Sequence, residues 1–180
     1  ELYRFIWDDF CSWYIELSKL HLTGDDEVAK KSALNTLVYV LNTIVRLLHP
    51  IMPFVTEEIY QAIPHNEESI VISKWPEVNP EYDNDTINDQ FAYLIDIIKG
   101  VREIRHTYVI KNSIEVDYTI TTKQDDLEAL LKEIAPYVSK LVNATCVGYN
   151  VPTSKNNATE VIKGGNTLNI DLGQYIDMEA

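Results

Sequence analysis

The chain has 180 residues, is 46% hydrophobic and 24% charged, and carries a formal net charge of −13. The balance fits a folded globular protein, and no apolar run reaches the roughly 18 residues that a membrane span needs. The acidity argues against a general nucleic-acid binder, which usually presents a basic surface: residues 1–80 hold 6 Lys/Arg against 12 Asp/Glu, and residues 81–180 hold 9 against 16. Cys11 and Cys146 lie too far apart in sequence for a metal-ligand spacing or a disulfide framework, which suits a reducing cytoplasm. The chain opens on Glu1-Leu2-Tyr3-Arg4, without Met and already inside a helical pattern, so it reads as a piece of a longer protein.

The first helix is expected from Glu1 to about Leu20, with Leu2, Phe5, Ile6, Phe10, Trp13, Leu17 and Leu20 on one face. Cys11 beside that face reads as a buried structural thiol. Thr23-Gly24 breaks the helix, and Asp25 or Asp26 caps the next. That second helix, from about Glu27 to Leu48, is the spine of the chain: Leu34, Leu37, Val38, Leu41, Ile44, Val45 and Leu48 recur at steps of three and four. His49-Pro50 ends it, because proline disfavours helical dihedrals at the residue before it. Pro53 suits the first turn of a third helix, to about Ile63, and Glu57-Glu58 near its start complement the dipole from a solvated face. Residues 63–80 read as an extended connector with Trp75 packed on the bundle. A fourth long helix is expected from about Asp85, as cap, to Thr107, with Ile87, Phe91, Leu94, Ile95, Ile98 and Val101 inward. Gly100 inside it costs about 1 kcal/mol against Ala and implies close packing or a bend.

After Asn112 the period changes to two. Ile114, Val116, Tyr118 and Ile120 mark a half-buried strand. A short helix from Leu127 is interrupted at Pro136, Thr145–Tyr149 is a candidate strand, and residues 151–158 read as a loop. Residues 160–172 form a β-hairpin around Gly164-Gly165. The expected architecture is mainly α: an antiparallel helix bundle over residues 1–110, then a small α+β domain over 111–180.

Two motifs carry a family resemblance. "YRFIWDDFCSWYIELSK" (residues 3–19) and "LLHPIMPFVTEEIYQ" (residues 47–61) resemble, in content and order, the anticodon-binding helical bundle of class I aminoacyl-tRNA synthetases, with the first run pointing to the valyl branch. The W-P pair at Trp75-Pro76 and "LIDIIKGVREIR" are further points of similarity. "HTYVIKNSIEV" departs from the family, which has a proline turn there. The resemblance implies a tRNA-recognition module of a valine–tRNA ligase, with tRNA(Val) and the parent's own catalytic domain as partners, no membrane, and a monomeric state. It implies that ATP and Mg²⁺ belong to the parent's catalytic domain and that this piece holds no cofactor. The family's HIGH-like and KMSKS-like elements are missing here, so the piece alone carries no catalytic residues and reads as non-catalytic.

Candidate RNA contacts follow from residue type. Lys99, Arg102, Arg105, His106 and Lys111, with Tyr108, crowd the end of the fourth helix. Guanidinium groups suit phosphate oxygens, and an aromatic ring can stack on an unpaired base. The structural alternative is that these cations complement a helix C-terminus or pair with carboxylates. Arg46 on the polar side of the second helix, and Tyr3 and Trp7 on the first, complete the set. His21, His49, His65 and His106 form no metal signature, and His49 reads as a corner residue. The competing function is a helical protein-interaction domain without RNA, favoured by the acidic surface.

Overall fold

The computed structural model describes residues 1–123, 127–152 and 154–175. The chain divides into two compact units, Glu1–Pro80 and Glu81–Ala180. The first is helical and the second is α+β.

Helix α1 of the first unit is one run in three parts: Leu2–Arg4, a π-helical stretch Phe5–Tyr14, and Ile15–Leu22. In the π-helical part the Ile15 N–H reaches back five residues to Phe10 O, and the Ser12 hydroxyl donates to Trp7 O at 2.7 Å. The wider turn changes the angular step, so a stripe counted at 3.6 residues per turn does not stay on one face. Phe10 and Leu17 are buried, but Phe5 is exposed. Cys11 is also exposed, contrary to the expected buried thiol.

Helix α2 (Glu27–Leu48) is capped by Asp26, whose Oδ1 accepts from Val28 N at 2.9 Å and Ala29 N at 3.1 Å. Its stripe buries Ile44 and Val45 but leaves Leu34 exposed. After the proline corner, helix α3 (Pro53–Ala62) begins with Pro53 in its first turn. The Thr56 hydroxyl donates to Met52 O at 2.7 Å. With that proton engaged, the His49 ring, whose Nδ1 lies 2.8 Å from Thr56 Oγ1, is the donor between them. Thus His49 is a corner residue.

Glu57 does more than face solvent. It accepts from Gln61 Nε2 and Ser69 Oγ, both at 2.8 Å, and from Ile70 N at 3.2 Å. These bonds fold the segment after α3 back, and Ile70 joins Val45 and Tyr60 in a small core flanked by Leu41 and Ile59. Ile70–Ile72 is a single 3₁₀ turn, not an extended run, so only Ile70 is buried. Trp75 is exposed, where the sequence suggested a packed ring.

In the second unit, helix α4 (Asp85–Thr107) is capped by Asn84, whose Oδ1 accepts from Ile87 N at 3.2 Å, rather than by Asp85. It buries Tyr93, Leu94, Ile97, Ile98, Val101 and Ile104, while Ile87 stays exposed. Strand β1 (Val116–Thr121), helix α5 (Leu127–Val142), and strands β2 (Ala144–Tyr149), β3 (Asn157–Ile162) and β4 (Asn166–Asp171) follow. The mixed sheet runs β2-β1-β4-β3, with β1 and β2 parallel across the α5 crossover and the other pairs antiparallel. Helix α4 packs on α5, β3 and β4, so it groups with the sheet, and the compact units part at Pro80.

Pro136 does not interrupt α5. An interior proline costs about 3 kcal/mol, and burial of Leu127, Leu131, Ile134, Val138 and Val142 along one face carries the helix through it. The hairpin turns through Gly164 and Gly165, both in the left-handed region at φ +74° and +73°. The expected loop over 151–158 yields its last two residues to β3, and its Thr153 lies outside the described residues.

Gly100 sits where α4 meets β3 and β4. A Cβ built there would lie 3.5 Å from Glu160 Cβ and 3.6 Å from Leu168 Cδ2, ordinary contact distances. Gly100→Ala is therefore expected to keep or raise stability, by up to about 1 kcal/mol, and Gly100→Leu to lower it by about 1–3 kcal/mol through overpacking. Urea unfolding of the two variants checks this.

The hydrogen bonds from Gln61 and Ser69 hold the Glu57 carboxyl below its ordinary value of 4.5. Its contribution is present above that value and is lost as pH falls through the lower folded-state pKa. Glu57→Gln should flatten the loss of stability below about pH 4.5 in an acid titration followed by circular dichroism.

Candidate nucleic-acid interface

The candidate residues fall in separate places. Tyr3, in the first α-helical part of α1, and Trp7, in the π-helical stretch after it, are exposed, so their rings are open to stacking. Arg46, half-buried on α2, donates from Nη1 to Lys74 O at 3.0 Å and, at 3.4 Å, from Nε to Asn42 O. It stands between two clefts of the first unit. One, of about 360 Å³, is lined by Tyr39, Asn42, Tyr60, His65 and Glu67, among others. The other, of about 250 Å³, includes Lys74, Trp75 and Pro76. Tyr60 is buried, donates to Glu67 Oε2 at 2.8 Å and lies under the His65 ring at 4.9 Å between centroids. Burial and that carboxylate push its phenol pKa up, so it stays a neutral donor at physiological pH. This first cleft therefore offers both a fixed cation and aromatic rings.

The second unit holds the basic cluster at the end of α4. Helical spacing puts Arg102 and Arg105 one turn apart, but they have different surroundings. Arg105 is 4% exposed. Its Nη1 donates to Lys111 O, and its Nη2 to Ile114 O and Asn143 O, all at 2.8 Å. Burial pulls its pKa below the usual value, and the side chain holds a loop in place instead of facing solvent. Arg105 thus leaves the list of direct contacts. Lys99, Arg102, His106, Tyr108 and Lys111 are exposed. Arg102 and His106 line a cleft of about 630 Å³ with Ile110, Asn112, Lys140 and Asn143.

Lys140 was not among the sequence candidates. It lies 29 residues beyond Lys111, and the packing of α5 on α4 brings it to the same cleft. A lysine in the last turn of an amphipathic helix is an ordinary dipole partner, so the sequence held no signal for it.

Among the described residues no group of three or more His, Cys, Asp or Glu is placed to hold a metal ion, and no helix is long and apolar enough to cross a membrane.

The family model for the anticodon-binding domain of tRNA ligases matches residues 1–120. The chain belongs to that family. The chain is similar along nearly its whole length to parts of bacterial proteins named valine–tRNA ligase. It is 42% identical to that of Geobacillus stearothermophilus over 169 residues, 93% of this chain and 19% of the relative. It is 42% identical to that of Anoxybacillus flavithermus over 180 residues and 43% identical to that of Lactiplantibacillus plantarum over 180, each covering 99% of this chain and 20% of the relative. The chain spans about one fifth of the length of these curated relatives. The family match runs past both the Pro80 boundary and α4, ending at Ile120 in β1.

Arg105→Ala removes three charge-assisted hydrogen bonds: Lys111 O and Asn143 O keep backbone donors in the Ile114 and Val116 N–H groups, and Ile114 O loses its side-chain donor. The substitution should cost at least about 3 kcal/mol in chemical denaturation, and Arg105→Lys should recover only part, because one ammonium cannot reproduce the planar fork. Lys99→Ala, on the exposed side of the same helix, should stay within about 0.5 kcal/mol of wild type.

Proposed function

We propose that this chain is the anticodon-recognition part of a valine–tRNA ligase, its helical unit being the antiparallel bundle of that class. It holds tRNA(Val) by the anticodon arm, while the remainder of the parent protein, using ATP and Mg²⁺, joins valine to the tRNA. The observation that carries this reading is the anticodon-binding family match over residues 1–120 together with identity of 42–43% to valine–tRNA ligases along nearly the whole chain. It favours tRNA recognition over a protein-interaction domain.

The chemistry of the exposed side chains supports it. The first unit offers Trp7 and Tyr3 as stacking faces and Arg46 beside an aromatic cleft. The second offers cations for the phosphate backbone. Base stacking on an aromatic side chain is worth about 1–3 kcal/mol per base and is available only to unpaired nucleotides, as in a loop. This is recognition without a chemical step: the chain binds and orients, and the parent reacts.

Fluorescence anisotropy with tRNA(Val) and with the same transcript carrying a replaced anticodon tests the proposal in the parent protein. The replaced anticodon should bind at least about tenfold more weakly, equivalent to about 1.4 kcal/mol. Equal affinities for both transcripts would remove anticodon recognition from the chain's function.

A further inference from the structure

Arg105 is the starting point. Its Nε–H is the one buried side-chain polar atom without a hydrogen-bond partner among the described residues. Its two terminal nitrogens are bonded to backbone carbonyls alone, so no carboxylate cancels its charge. A native buried polar atom with no partner needs a physical reason. Arg105 lines the 630 Å³ cleft together with Arg102, His106 and Lys140, and no Asp or Glu is among the described residues that line it. In a chain of net charge −13 that is an unusual composition. The neighbouring cleft along α4 shows the contrast, because Asp96, Glu103 and Glu160 all line it.

We infer that the cleft between the ends of α4 and α5 is a phosphate seat that takes one backbone phosphate of an RNA strand, with Lys140 and Arg102 at its rim and the buried Arg105 charge behind them. Lys140 and Arg102 are exposed and approach from two different helices, which suits an oxyanion with several acceptor oxygens. Arg105 contributes a fixed positive potential and makes no large rearrangement, since its carbonyl bonds hold it. The exposure of the rim favours a phosphate that arrives as part of a long strand over an enclosed small ligand. For the source of the phosphate, the inference rests on the proposed tRNA reading.

The test uses the intact parent protein. Its affinity for cognate and non-cognate tRNA is measured against salt concentration, for wild type, Lys140→Gln and Lys140→Gln/Arg102→Gln. Lys155→Gln, an exposed lysine that does not line the cleft, controls for net charge. Loss of one phosphate contact should lower the slope of log affinity on log salt by about 0.7–0.9, weaken both tRNAs alike by several-fold, and leave the control unchanged. In parallel, the His106 ring resonances are followed in the same protein while inorganic phosphate is added. A saturable shift that is lost in the double variant supports the seat. Intact tRNA binding with an unchanged slope in the double variant and no His106 response would overturn the seat and leave the tRNA reading standing. A His106 response without any tRNA binding would overturn RNA as the source, and the tRNA reading with it.

Discussion

The second unit depends on one side chain. A long helix ends at Thr107 and leaves carbonyls without helical partners, and the chain must then reverse to enter β1. Backbone donors meet the first demand, Tyr108 N–H to Ile104 O, Ile110 N–H to Arg105 O and Val109 N–H to His106 O, and the Arg105 side chain meets the second. Its bonds to Lys111 O and Ile114 O shape the connecting loop, and its bond to Asn143 O ties that loop to the junction between α5 and β2. Asn143 O also accepts from Val116 N at 3.0 Å, and Asn143 Nδ2 donates to Asn112 O at 3.1 Å. The start of β1, opposite Ala144 in the parallel pair, is therefore set by the same cluster. The turn also accepts Val109 at φ +55°, a costly conformation for a β-branched residue.

Charge then decides what such a molecule can bind. Both units are acidic, yet the family function is to hold an acidic polymer. At physiological salt the general repulsion is screened beyond about 8 Å, so attraction comes from cations in contact range. Those are few and placed by the fold. An acidic field with a small number of fixed cations suppresses non-specific RNA binding while sparing a ligand whose phosphates reach those cations. In the proposed tRNA role, the acidity that argued against RNA from composition alone serves selectivity instead.

Much of this was readable in the sequence, for physical reasons that are specific to each element. Asp26 caps α2 because its side chain is short and precedes an apolar period; Pro53 opens α3 because its missing N–H costs nothing there; Gly164-Gly165 turn the hairpin because only glycine takes that φ cheaply. What was not readable depends on tertiary partners. A π-helical stretch has no compositional mark, so the face of α1 was counted with the wrong step, and Phe5 and Cys11 were placed inward. Pro136 looked like a break because its local cost is visible in sequence, whereas the buried face that outweighs it is not. The inner face of α4 says that it is covered but not by what, so its grouping with the sheet was not readable either. In the candidate interface, Arg102 and Arg105 look alike on a helical wheel, and only packing separates the exposed one from the buried one. Lys140 has no signal at all until α5 packs on α4.

The two units also reach their shapes by different balances. The second buries a continuous apolar layer, from Ile97, Ile98 and Val101 on α4 to Ile120, Leu168 and Ile170 in the sheet. The first buries much less, with a core of Val45, Tyr60 and Ile70, and leaves Phe54, Ile51 and Val78 largely exposed. Its corner is held instead by directional bonds: His49 to Thr56, Thr56 to Met52, and Glu57 to Ser69 and Ile70. Apolar burial tolerates small shifts, since it is non-directional; a hydrogen bond weakens steeply with angle. A unit built on such bonds keeps Arg46, Tyr60 and His65 in a fixed relation with little core beneath them. In the proposed interface that fixed relation suits the reading of a base by its edges and faces, and the stretch from Leu47 to Gln61 supplies both the corner and, through Tyr60 and Ile59, part of the small core beneath it.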